Sequence, residues 1–237
     1  MRLAILVCGE YREFETAHRS WDFLTKTDND VFFSTWNRSV QENKGLDIYI
    51  DEVITEDKIK SFLPNAFTSI IDVSVANTLL NNTHRMHYHW KNAFKLLEEN
   101  SNNYTHIILT RPDIFYHNHR EEYTDYDNKI KSDRLYGGER ITLVGNNLFG
   151  VDDTFFLSTY ELMSKFITGL PIETEMHHGL ADYIIKNGWF IEQLHMGTAI
   201  VRGNCRSMFN LNINEVGQKR HEWFEAFHRY KNSENEN

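Results

Sequence analysis

Leu3-Ala4-Ile5-Leu6-Val7-Cys8-Gly9-Glu10-Tyr11-Arg12 decides the fold. Leu3 to Val7 is an unbroken apolar run bounded by Gly9. A short strand that is apolar on both faces belongs inside a parallel sheet covered by helices. Beyond it, Phe14, Ala17, Trp21 and Leu24 recur three or four apart, as on an amphipathic helix. Val31-Phe32-Phe33 is then a second strand, running into Ser34-Thr35-Trp36-Asn37. Strand, helix, strand is the seed of an α/β sheet.

The pattern continues outward. Residues 56–63 read as a short helix closed by Pro64, and 67–73 as a strand. Residues 84–99 form the strongest helix, with Met86, Trp90, Phe94 and Leu97 as its stripe and charged residues outside it. Tyr104 to Thr110 is an apolar strand that stops at Arg111-Pro112-Asp113. Residues 117–134 are a polar connection, punctuated afterwards by Gly137-Gly138. Then come a strand at 155–157, helices at 160–167 and 179–186, a strand at 189–191, an aromatic and basic helix at 219–231, and a frayed tail at 232–237. No internal repeat or linker interrupts the chain. The expectation is one α/β domain over 1–231, with a mixed, mainly parallel central sheet flanked by helices. Leu3–Val7, Val31–Phe33 and His106–Leu109 are its expected central strands.

Composition narrows the class. The chain has 237 residues, 41% hydrophobic and 14% aromatic, which suffices for a core and excludes a disordered or collagen-like chain. A net charge of −9 argues against a nucleic-acid-coating surface. Cys8 and Cys205 are the two cysteines. They make neither a disulfide framework nor a four-cysteine zinc site, so a reducing compartment is the simpler reading. The apolar start is too short for a signal peptide, and no later run approaches the ~20 apolar residues of a membrane span. A soluble cytoplasmic protein is expected.

Arg111-Pro112-Asp113 is the most informative motif. Ligand sites in open α/β sheets lie beyond the carboxyl ends of the strands, where both charges emerge. A carboxylate there can hold a divalent cation and a guanidinium can grip a phosphate. The same triplet also reads as a turn whose two charges pair with each other. Gly9-Glu10-Tyr11-Arg12 sits at the same edge without being a glycine-rich phosphate loop. Gly9, Arg12, Thr35, Arg111 and Asp113 all fall at or just past strand ends, so one cleft is expected to gather them. His87 and His89 are two apart on a helix and do not share a metal.

In order, the chain carries Cys8-Gly9-Glu10-Tyr11-Arg12-Glu13-Phe14, Asp30 to Asn37, Arg85 to Phe94, Ile107 to Phe115 and Asp153 to Met163, then Glu173 and Glu175. This order resembles GT-A-type glycosyltransferase-like proteins of bacterial polysaccharide clusters and of large viruses or phages, over roughly residues 1–195. The resemblance implies a nucleotide-sugar donor and a glycan or other hydroxyl acceptor. It also implies Mn²⁺ or Mg²⁺ held by an Asp-x-Asp motif. Only the last acid of that motif is present, as Asp113, with His195 as a second ligand to try. If the reaction inverts, Asp153 or Glu175 deprotonates the acceptor. On this reading Asp113→Asn leaves the fold intact while transfer collapses. Two alternatives stand beside it: an inactive nucleotide- or glycan-binding module, and a phage enzyme glycosylating modified DNA bases through the helix at 219–231.

Overall fold

The computed structural model describes residues 2–12, 14–21, 24, 29–43, 48–100, 103–118, 130–137, 141–144, 148–151, 153–175, 178–193 and 197–200. Its first half holds β1 (Leu3–Cys8), α1 (Phe14–Ala17), β2 (Asp30–Trp36), β3 (Arg38–Asn43), β4 (Ile48–Val53), α2 (Glu56–Lys60), β5 (Phe67–Ile71) and α3 (Asn82–Glu99). Next come β6 (His106–Thr110), β7 (Ile114–Asn118), β8 (Arg134–Gly137), β9 (Ile141–Val144) and β10 (Leu148–Val151). Last are β11 (Phe155–Thr159), α4 (Tyr160–Gly169), α5 (His178–Lys186), β12 (Phe190–Gln193) and β13 (Gly197–Ile200).

Seven strands form the central sheet in the order β12-β8-β11-β6-β1-β2-β5. β1 pairs in parallel with β2 and β6, β2 with β5, and β8 with β12. β11 runs antiparallel to both neighbours. The fold is therefore mixed α/β and mainly parallel, as the sequence implies. Leu3–Val7, Val31–Phe33 and His106–Leu109 lie side by side at its centre.

Period-two alternation divides the core. Ala4, Leu6 and Cys8 pack with Phe32, Trp90 and Phe94 beneath α3. Leu3, Ile5 and Val7 pack with Phe14, Trp21 and Phe33 on the opposite face. Both faces of β1 are fully covered, which is why its sequence is apolar without interruption.

Topology then fixes where a ligand can sit. From β1 the chain moves to β2 and β5 on one side. It crosses back to β6 on the other, then continues to β8, β11 and β12. The loops after β1 and β6 therefore diverge, leaving a crevice between their carboxyl ends.

Several elements differ from expectation. The helix read at 14–24 is one turn of α1 followed by a 3-10 turn at His18–Ser20. The β3–β4 hairpin was not anticipated, because Arg38-Ser39-Val40-Gln41-Glu42-Asn43 carries little apolar pattern. The connection read at 117–134 is entered by β7 and left by β8. The helix at 219–231, the tail at 232–237 and Cys205 lie outside the described residues. Among those described, no helix is long and apolar enough to cross a membrane.

Candidate functional site

A cleft of about 580 Å³ opens at the crevice, within the size range of small-molecule sites. Gly9, Glu10 and Arg12 after β1 form one wall, and Arg111, Pro112 and Asp113 after β6 form another, with Asp153 beside them. Trp36 at the end of β2, Arg38 at the start of β3 and the start of α3 close it. Gly9 has φ +127°, a conformation L side chains rarely adopt, and its N–H donates to the Ser34 carbonyl at 3.0 Å. That turn needs glycine for its backbone, not for space: an added Cβ would meet Pro112 at an ordinary 3.8 Å.

Asp113 is the centre of the charged wall and is 1% exposed. Its Oδ1 accepts from Arg111 Nε at 3.0 Å, and its Oδ2 from Arg111 Nη2 at 2.9 Å and Arg12 Nη1 at 2.9 Å. Arg111 Nη1 donates on to Asp153 Oδ2 at 3.0 Å, and Arg12 Nε to Glu10 Oε2 at 3.0 Å. Burial pushes the Asp113 carboxyl up, but the charges of Arg111 and Arg12 outweigh it and hold the pKa below its ordinary value. Burial likewise opposes the charge on Arg111, yet Asp113 and Asp153 raise its pKa overall. Arg12 reaches its position at φ +40°, the positive-φ non-glycine among the described residues, with its N–H on Ser39 Oγ at 3.2 Å. Strained backbone of this kind persists where surrounding contacts over-determine it.

The opposite wall comes from α3. Asn82, Arg85, Met86 and His89 all line the cleft. Their spacing of three, four and seven places them on one helical face. Asn81 caps the helix, its Oδ1 accepting from His84 N at 3.0 Å. Arg85 Nε donates to the Ala76 carbonyl at 3.1 Å, and Nη1 lies 3.5 Å from Asn82 Oδ1. His89 Nδ1 bonds Ser34 Oγ at 2.9 Å, while the buried Nε2 has no partner. The edge of its ring meets Trp36, centroids 4.2 Å apart. Burial lowers the His89 pKa from 6.5 to about 3, so the imidazole is neutral at physiological pH.

Of the residues singled out in the sequence, Gly9, Arg12, Arg111, Asp113 and Asp153 come together around this cleft. Thr35 does not. It alternates with Ser34 and Trp36 along β2 and is fully buried, outside the lining. Glu175 is exposed, beside Gly179 rather than in the lining. His195 lies outside the described residues. Arg85 and His89 were missed because the helix was read for its apolar stripe. The polar positions 82, 85 and 89 recur three and four apart as a strip beside that stripe, and this spacing is the available signal.

The residues present do not fit a divalent cation. Among the described residues, Glu10, Asp113 and Asp153 are the carboxylates on the cleft wall, and each is bonded to an arginine. Both oxygens of Asp113 are taken, and two guanidinium charges stand where a cation would approach. Among the described residues, no three His, Cys, Asp or Glu side chains gather as a metal site. Asp113, expected as a metal ligand, is in this structure the partner of two arginines.

No family model matches the chain, and no curated protein matches its sequence. Its backbone is similar to several solved structures. One is a Bacillus anthracis protein described as a glucose-1-phosphate thymidylyltransferase, in complex with sucrose. It shows 10% identity and a TM-score of 0.49, over 89% of this chain and 94% of that one. Another is the inositol-1-phosphate CTP transferase from T. maritima, at 11% identity and a TM-score of 0.47, over 92% and 96%. The galactosyltransferase LgtC, in complex with donor and acceptor sugar analogs, is similar at 8% identity and a TM-score of 0.44, over 81% of this chain and 72% of LgtC.

Proposed function

We propose that this protein is a glycosyltransferase that moves a sugar from a nucleotide-sugar donor to a hydroxyl acceptor. One observation carries the reading: four guanidiniums, from Arg12, Arg38, Arg85 and Arg111, surround a single cleft at the crevice between β1 and β6. Arginine is the side chain suited to planar, multidentate recognition of phosphate. Breaking a glycosyl–phosphate bond puts growing negative charge on the departing nucleoside diphosphate. Fixed guanidiniums stabilise that charge without reorganising during the reaction.

Asp153 is the carboxylate best placed to receive the acceptor proton. Its Oδ2 is held by Arg111, which orients the group, while Oδ1 carries no donor among the described residues. The Arg111 anchor fixes the direction from which an acceptor hydroxyl is deprotonated. Glu175, exposed and away from the lining, is not part of this proposal.

The test is a thermal-shift panel of UDP, GDP, ADP, CDP, dTDP and their sugars, followed by turnover with the donor that binds. Ligand at a hundred times its dissociation constant stabilises by about 2.7 kcal/mol. A silent panel defeats the proposal. Pairing of every cleft carboxylate with an arginine favours a second reading, a binding module without turnover. Binding without donor hydrolysis or transfer to any acceptor selects that reading.

A further inference from the structure

We infer that the phosphates of the ligand dock on the first two turns of α3, on Arg85 with His89 behind it, rather than on the Arg12–Arg111 pair. The inference rests on the nucleotide-sugar reading of the cleft and specifies which of its walls receives the anion.

Charge compensation separates the four arginines. Arg12 is paired with Glu10 and Asp113, Arg111 with Asp113 and Asp153, and Arg38 with Asp51. Three carboxylates face two guanidiniums on the Arg12–Arg111 wall, so an incoming phosphate meets acids already in place. Arg85 differs. Its donors rest on two neutral oxygens, the Ala76 carbonyl and Asn82 Oδ1, and no carboxylate among the described residues pairs with it. Neutral anchors fix the direction of a guanidinium without cancelling its charge, and Nη2 is left without an acceptor among the described residues.

Two further features converge on the same wall. His89, four residues along the same face, lines the cleft, is 1% exposed and has a buried Nε2 without a partner among the described residues. A buried polar atom without a partner is costly, and a ligand oxygen would satisfy it. Its neutral imidazole adds no charge of its own. Asn82 and Thr83, the first residues of an 18-residue helix, also line the cleft. The positive end of the helix dipole thus faces the same space.

The experiment measures dissociation constants by calorimetry for wild type, Arg85→Gln, Arg85→Lys, His89→Gln and Arg12→Gln. Probes are the five nucleoside diphosphates, the matching nucleosides and inorganic pyrophosphate. Loss of a charged hydrogen bond predicts that Arg85→Gln weakens nucleoside diphosphate and pyrophosphate tenfold or more, and the nucleoside less than twofold. Arg85→Lys should keep part of the affinity and guards against a misfolded Gln variant. His89→Gln should weaken the same two probes. Diphosphate affinity within twofold of wild type in folded Arg85→Gln overturns the inference, as does a larger loss in Arg12→Gln. Arg85-dependent binding of pyrophosphate without any nucleoside diphosphate supports the anion site while defeating the nucleotide-sugar reading. Wild type that binds neither probe overturns both.

Discussion

Arg111 and Asp113 close on each other across Pro112, with Nε on Oδ1 at 3.0 Å and Nη2 on Oδ2 at 2.9 Å. Arg12 adds a third donor to the same carboxylate from the loop after β1. Asp113 thereby joins two loops that the sheet topology sends apart, at the crevice where they diverge. The carboxylate holds the two loops together, with three of its roughly four lone-pair sites given to guanidiniums.

Asp113→Asn is accordingly expected to destabilise the fold, not to spare it as the sequence suggests. The substitution keeps the shape but leaves two guanidiniums, 15% and 27% exposed, without their shared counter-charge. Each guanidinium keeps a second carboxylate, Glu10 or Asp153, so the loss is on the order of 1–3 kcal/mol, the cost of buried donors left unsatisfied. Urea unfolding of the variant checks this. A loss below about 1 kcal/mol would show that Asp113 is not the joint described.

Stability should fall as the solution is acidified from neutral. Burial lowers His89 from 6.5 to about 3 and His87 to about 4. The unfolded chain therefore binds more protons than the folded one below ~6.5, so each neutral histidine's contribution is complete above that pH. Between ~6.5 and about 4 the slope approaches 1.4 kcal/mol per pH unit for each histidine. Asp113 acts in the same direction at lower pH. Its depressed pKa gives stability present above the ordinary aspartate value of ~3.9 and lost as pH falls through the folded value. Urea midpoints at pH 7, 6, 5 and 4.5 for wild type and His87→Gln/His89→Gln check the histidine part. A double variant as steep as wild type would refute it.

Nucleoside diphosphate binding should be indifferent to EDTA. Glu10, Asp113 and Asp153 are each bonded to arginine, so a cation would have to displace guanidiniums at a site already holding two positive charges. Calorimetry in EDTA and in Mn²⁺ should agree within about twofold in dissociation constant. Tighter binding in Mn²⁺ by tenfold would mean that the arginine network opens to admit the metal.

How far the sequence was legible follows from where each residue's constraint lies. β1, β2 and β6 were readable because both faces of a central strand are buried, which leaves an unbroken apolar run in each: Leu3–Val7, Val31–Phe33 and Ile107–Leu109. β3, β8, β9 and β10 were not, because short strands outside the centre carry little pattern. Gly9, Arg12, Arg111 and Asp113 were located by a rule about strand ends, which fixes neighbourhood and not direction. Thr35 obeyed the rule, yet its side chain alternates away from Ser34 and Trp36. Arg85 and His89 stand beside the apolar stripe that starts at Met86, and apolar periodicity registers the stripe and not the polar strip next to it. Pairing was the least legible layer: the choice of Asp113 between cation and arginine depended on contact with Arg12, 101 residues distant in sequence.

Arg12 offers a measurement of stored strain. Its φ of +40° puts an L residue in the left-handed region, which costs roughly 1–2 kcal/mol where glycine pays almost nothing. Arg12→Ala removes the bonds to Glu10 and Asp113 and keeps the strain. Arg12→Gly removes the same bonds and relieves it, at the expense of about 0.4–1 kcal/mol of extra freedom in the unfolded chain. Glycine should therefore be the more stable variant, by on the order of 0.5–1 kcal/mol. Both should remain below wild type, because Asp113 keeps only Arg111 as a counter-ion. Paired urea curves read the order directly. If alanine equals or exceeds glycine, the backbone at 12 stores no strain, and the side-chain bonds alone fix the turn. If both match wild type, the Arg12–Asp113 bond carries no net stability, and the two loops are held by Arg111 and the sheet beneath them.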